Sequence, residues 1–192
     1  LLACRVSGSV DKFVELMNAR AKELGAANTH FTNPTGLTDD NHYTTAYDMM
    51  LITKAAVQNE KLMSVASEVK YTLHKNNVRA EDLEMSTGHR MMDKDTAQYY
   101  QGVIFGKTGF TNAARSTLVT AAKKDDRCLV VVTLGHDNKF KQYNDVKTLL
   151  DYGFGSFYRF VISKDDLKGS QENQLMKSLR WQALMYRRIQ RS

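Results

Sequence analysis

The stretch from Gly102 to Leu134 constrains the fold more than any other part of this chain. It holds an apolar run, Val103-Ile104-Phe105, and two longer runs, Ser116 to Ala122 and Cys128 to Leu134, rich in β-branched residues or Leu. All three read as strands. The last two are joined by the charged turn Lys123-Lys124-Asp125-Asp126-Arg127. A parallel pair would need a crossover of about a dozen or more residues, so this pair must be an antiparallel hairpin. Val103, Phe105, Leu118, Val130 and Val132 are expected to share the sheet face that needs covering. With 42% hydrophobic residues in 192, the chain is long enough for one sizeable core or two small ones.

Helical periodicity lies on either side. Val10, Phe13, Val14, Met17, Ala21 and Leu24 form one stripe, opened by Ser9 and stopped by Gly25. Leu1-Leu2-Ala3 reads as helix interior. Asn28 to Asn41 is turn-rich and contains Asn33-Pro34-Thr35-Gly36-Leu37. Thr45-Ala46-Tyr47-Asp48 reads as a capping box for a helix to about Val57. A short helix near 60–66 and a strand near 69–74 follow, and residues 76–98 carry no clear period. A last helix is expected over 141–152, with Tyr143, Val146, Leu149 and Leu150 on one face.

Several chemistries are disfavoured. His30, His42, His74, His89 and His136 include no HxH or HxxxH pair, and no carboxylate completes a metal pattern. Cys4 and Cys128 cannot build a disulfide framework and read as small buried hydrophobes. No window approaches 18 apolar residues. The net charge of +6 is uneven: residues 171–192 hold Lys177, Arg180, Arg187, Arg188 and Arg191 against Glu172, a net of +4, leaving +2 for the other 170 residues. A body so nearly balanced argues against a nucleic-acid surface.

Gln101-Gly102-Val103-Ile104-Phe105-Gly106-Lys107-Thr108-Gly109 admits two readings. As a phosphate loop it fails by one residue, having Gln101 where a glycine is required. Its intervening Val, Ile and Phe also favour a strand over a flexible turn opening a helix. As a strand, it puts Lys107 and Thr108 on opposite faces, with Gly109 leaving room for another backbone. Such an edge suits an extended peptide ending in a carboxylate, with backbone pairing for the chain and an ammonium and a hydroxyl for its terminal charge.

The same residues, taken in order, resemble the serine D-alanyl-D-alanine carboxypeptidases, the low-molecular-weight penicillin-binding proteins of peptidase family S11. Val6-Ser7-Gly8-Ser9-Val10 running into Phe13-Val14-Glu15-Leu16-Met17-Asn18 looks like the helix after that family's second motif. Residues 25–37 and His42-Tyr43-Thr44-Thr45-Ala46-Tyr47-Asp48 are similar to further family stretches. Gly106-Lys107-Thr108-Gly109-Phe110-Thr111-Asn112-Ala113-Ala114 looks like the third motif, and Leu149-Leu150-Asp151-Tyr152-Gly153-Phe154 resembles the helix that closes the catalytic domain. The resemblance runs over residues 2–160.

It implies an α/β (α+β) penicillin-binding or β-lactamase-like transpeptidase fold, an antiparallel sheet flanked by helices, with the N-terminal part missing. It also implies removal of the terminal D-Ala from peptidoglycan stem peptides through an acyl-enzyme, outside the cytoplasm and without a cofactor, with β-lactams as ligands of the complete enzyme. Lys107, Thr108, Gly109 and Phe110 would form the substrate-binding strand. Lys107 and Thr108 would take the carboxylate, and the Phe110 N–H would be one half of an oxyanion hole. Two departures stand out. The family's Ser-x-x-Lys and Ser-x-Asn motifs are not found; Ser9 has Lys12 at the first spacing but caps an amphipathic helix, and the nucleophile is expected upstream of Leu1. Arg115 occupies a position where the family usually has Gly.

The expected division is a partial catalytic domain over 1–163 and a basic amphipathic tail over 164–192. In the tail Leu175, Met176, Leu179, Ala183, Tyr186 and Ile189 span about 140° of a helical wheel, with Trp181 at the boundary. That pattern reads as a membrane-surface helix, while Leu184 inside the basic arc fits a helix packing on its own domain. The alternative function is a non-catalytic module that binds cell-wall peptides or a membrane.

Overall fold

The computed structural model describes residues 1–157, which form one unit. A further strand that the sequence suggests over residues 157–162 lies, but for Phe157, outside the described residues, as does the basic tail. Helices come first: α1 (Leu2–Ser7), α2 (Val10–Glu23), α3 (Ala46–Val57) and α4 (Glu60–Ala66). A hairpin follows, β1 (Lys70–Leu73) with β2 (Leu83–Ser86), then a short 3-10 turn, Arg90–Met92. The main sheet is β3 (Val103–Thr111), β4 (Arg115–Lys124) and β5 (Arg127–His136), and α5 (Lys139–Ser156) closes the unit.

The helix starts follow the sequence signals. Ser9 Oγ accepts from the Lys12 N–H at α2, and Thr45 Oγ1 accepts from the Asp48 N–H at α3. The second is not a reciprocal capping box. The Asp48 carboxylate is turned inward, accepting from the Asn28 N–H at 2.7 Å and the Thr29 hydroxyl at 2.8 Å. Residues 76–98 gain a strand because β2 pairs with β1 antiparallel, Tyr71 opposite Met85 and Thr72 opposite Glu84.

The sheet order is β3-β4-β5, antiparallel throughout. Among the described residues β3 has a strand neighbour on one side only. Leu118 and Ala122 pack with Tyr143, Val146, Leu150 and Phe154 of α5, joined by Val103, Leu129 and Val131. Gln142 of α5 ties this layer to the sheet by donating to the Ser116 carbonyl at 3.1 Å and the Thr133 hydroxyl at 2.9 Å. On β4 and β5, α3 also packs.

The five residues expected on one face divide between two. Val103 lies opposite Ala122 but Phe105 opposite Ala121, because a bulge at Ile104 takes up one residue. Val103 therefore faces α5 with Leu118. Val130 and Val132 register with Ala121 and Val119, on the same side as Phe105. Cys4 and Cys128 are exposed free thiols, contrary to the buried reading. Cys128 stands opposite exposed Lys123 next to the β4–β5 turn, where the alternation of the hairpin no longer meets the core.

Candidate functional site

Gly106-Lys107-Thr108-Gly109 lies within β3, in register with Thr120, Val119, Leu118 and Thr117 of β4. This excludes the phosphate loop, which needs these residues to open a helix. Lys107 is exposed and its ammonium donates to the Thr108 carbonyl; Thr108 is half-buried. Lys107 and Thr108 leave the strand on opposite sides, as alternation demands, and both border the groove along the β3 edge.

Gly109 borders the groove, yet its lack of a side chain answers to a different neighbour. A Cβ there would stand 2.5 Å from Thr117 Oγ1, its cross-strand partner. The glycine makes room for the next strand of the sheet. Phe110 follows with its ring 70% exposed at the groove.

The opposite wall is the turn-rich segment after α2. Asn18 holds it at one end, donating to the Phe31 carbonyl and accepting from the Phe31 N–H, both at 2.8 Å. His42 Nδ1 accepts from the Thr32 N–H at 3.1 Å. Asn33 Oδ1 then gathers the N–H groups of Thr35, Gly36 and Leu37 at 3.2, 2.8 and 3.1 Å. Together with the Asp48 anchor, these bonds fix a loop that has little apolar content of its own. Asn33, Pro34, Thr35 and Gly36 line the same open groove as Lys107, Thr108, Gly109 and Phe110. The structure thus brings two separate sequence segments together as two walls.

Behind the strand sits His89, 2% exposed, its Nε2 2.9 Å from Thr120 Oγ1. Burial pushes its pKa down to about 4, so the ring is neutral at pH 7. The sequence signals none of these roles: Asp48 reads there as a capping-box residue, Asn18 as a polar residue on a helix, and His89 lies in a stretch with no clear period.

At the β3–β4 turn Arg115 takes φ +56°, the left-handed region that favours glycine. Its guanidinium pairs with Asp137, which closes the turn against the end of β5. Two serines in the sequence have Lys three positions on. Ser9 caps α2, and Ser67 follows α4 with Lys70 paired to Asp95 at 2.5 Å. Neither lines the groove.

Comparison with known proteins identifies the family. The D-alanyl-D-alanine carboxypeptidase profile of peptidase family S11 matches residues 1–138. The chain is 33% identical over 159 residues to the carboxypeptidase DacF of Bacillus subtilis, covering 83% of this chain and 39% of the relative. It is 35% identical over 152 residues to DacB2 of Mycobacterium tuberculosis, covering 77% and 50%. The crystal structure of a D-alanyl-D-alanine carboxypeptidase from Mycobacterium tuberculosis superposes with a TM-score of 0.70 at 32% identity, over 81% of this chain and 58% of that one. The chain therefore spans half or less of the length of these curated relatives.

Proposed function

The chain belongs to the peptidase S11 family of D-alanyl-D-alanine carboxypeptidases, and on that premise we propose that it supplies the substrate-binding strand of such an enzyme. The observation that carries this reading is the open edge of β3. There Lys107, Thr108, Gly109 and Phe110 face a groove whose other wall is the Asn33–Gly36 loop. The substrate is a peptidoglycan stem peptide ending in D-Ala-D-Ala.

An extended peptide pairs with the β3 edge through its backbone. The Lys107 ammonium and the Thr108 hydroxyl take its terminal carboxylate by charge-assisted hydrogen bonds. This fixes the scissile amide two bonds upstream, near Phe110. The Phe110 N–H then donates to the oxyanion that forms as a seryl oxygen adds to the penultimate D-Ala carbonyl; the second donor is the attacking serine's own N–H. Free D-Ala leaves, and water hydrolyses the acyl-enzyme. No cofactor enters this sequence. The seryl group and its lysine belong to the Ser-x-x-Lys helix of the family, and neither Ser9 nor Ser67 fills that role.

The reading places the activity outside the cytoplasm, with β-lactams as mimics of the same peptide terminus. Residues 1–163 are the catalytic-domain part and 164–192 a basic segment for an anionic membrane surface, supported by its net charge and boundary Trp181.

The test is a titration of the 192-residue chain with diacetyl-L-lysyl-D-alanyl-D-alanine, followed by backbone amide resonances. Shifts clustered at residues 107–110 and absent in Lys107→Ala support the proposal. A response that ignores Lys107→Ala, or none with the D-peptide, overturns it. The same chain should form no covalent adduct with a fluorescent penicillin.

A further inference from the structure

The carboxypeptidase reading makes no use of His89, although the fold commits a buried polar side chain to that position. His89 caps the 3-10 turn between β2 and β3. Its ring lies on the backbone of Gly106, where a Cβ would stand 2.2 Å from His89 Cδ2 and 2.4 Å from Nε2. The same Nε2 meets Thr120 Oγ1 at 2.9 Å, and Thr120 is the β4 residue paired with Gly106. One imidazole therefore spans both strands at the residue just before Lys107. The preceding Gly88 lies near the Thr108 hydroxyl, a Cβ there standing 3.5 Å from Thr108 Oγ1. Tyr143 of α5 backs the ring edge-on, with centroids 6.2 Å apart at 79°.

Space filling alone does not call for histidine. A buried imidazole carries a desolvation cost that an apolar side chain of similar size avoids, and His89 Nδ1 has no hydrogen-bond partner. The Thr120 hydrogen bond is what an apolar replacement lacks. It fixes the plane of the ring, and the ring plane fixes how closely Gly106 can approach.

We propose that His89 is a positioning residue for the Lys-Thr-Gly strand, setting β3 through Thr120 and Gly106 so that Lys107 and Thr108 leave it in a binding-ready geometry. What the strand binds rests on the carboxypeptidase reading; the coupling of His89 to the strand does not.

Amide hydrogen exchange on the whole chain tests the coupling, using His89→Leu, His89→Gln, Thr120→Val and Thr120→Ser. In His89→Leu and Thr120→Val, exchange at residues 106–109 should quicken about tenfold relative to 129–132 of β5, the effect of one lost hydrogen bond on a local opening. His89→Gln and Thr120→Ser, which retain a bonding group, should restore most of the protection. In the wild type, imidazole nitrogen shifts should report a single tautomer, giving way to a mixture in Thr120→Val. If His89→Leu does not fold, Thr120→Val reads the same bond. Equal quickening of β3 and β5, or unchanged rates at 106–109, overturns the proposal. The D-peptide titration runs alongside: its failure in the wild type counts against the carboxypeptidase reading, while the exchange rates still decide the role of His89.

Discussion

Lowering the pH from 7 to 5 should weaken this fold through His89, and the size of the loss follows from its burial. The ring is 2% exposed, and burial holds its pKa near 4 against an ordinary value of 6.5. The unfolded chain therefore takes up the proton more readily than the folded one. Stability is whole above pH 6.5, declines as the pH falls through the interval down to 4, and levels off below it. At about 1.36 kcal/mol per pKa unit the complete loss is about 3 kcal/mol, of which roughly 2 kcal/mol has gone by pH 5. That is a large share of the roughly 5–15 kcal/mol typical of a domain. Urea melts of the wild type and His89→Leu at pH 7 and pH 5 isolate the effect, because the variant lacks the titrating group. The wild type should lose about 2 kcal/mol more than the variant over this interval. Direct NMR titration of the His89 ring gives the same answer without a variant. Equal losses in both proteins, or a ring that titrates near 6.5 in the folded state, would refute the burial argument.

Gly106→Ala forces a Cβ to 2.5 Å from the Val119 carbonyl oxygen as well as onto the His89 ring. Overpacking of this kind should cost about 1–3 kcal/mol or more, read as a lower urea midpoint. Asp48→Ala strands the Asn28 N–H and takes one of two partners from the Thr29 hydroxyl, which keeps Thr44 Oγ1 at 2.9 Å. It should cost about 1–3 kcal/mol and quicken amide exchange at Asn28, with Asp48→Asn recovering part of the loss. Arg115→Gly removes a left-handed non-glycine residue and an exposed ion pair with Asp137. Relief of roughly 1 kcal/mol of backbone strain should exceed the exposed pair's worth, so thermal unfolding should show a small rise in Tm.

What the sequence revealed was local. Ser9, Thr45 and the β4–β5 hairpin each act within a few residues, and each appears in the structure where expected. The Lys-Thr-Gly strand was legible for the same reason, since Val103-Ile104-Phe105 cannot open a phosphate loop. Long-range partners were not legible. Thr45-x-x-Asp48 has the spacing of a capping box, but the Asp48 carboxylate serves backbone 20 residues away. The bulge at Ile104 moves Phe105 to the other face from Val103, although Val103-Ile104-Phe105 reads as an unbroken apolar run. Gly109 has the look of a glycine kept bare for a ligand, and Thr117 is what fills the space beside it. His89 shares its residue type with four unremarkable histidines, and only the fold sets it against Gly106. The loop wall of the groove was visible as a turn-rich segment, yet nothing local said that it would stand opposite β3.

A crystal structure of the chain with a bound peptide ending in D-Ala-D-Ala tests the central claim most directly. The account predicts the terminal carboxylate within hydrogen-bond distance of both Lys107 Nζ and Thr108 Oγ1, with the peptide backbone paired along β3 and the Asn33–Gly36 loop across from it. A peptide bound elsewhere, or one whose carboxylate touches neither Lys107 nor Thr108, would contradict it.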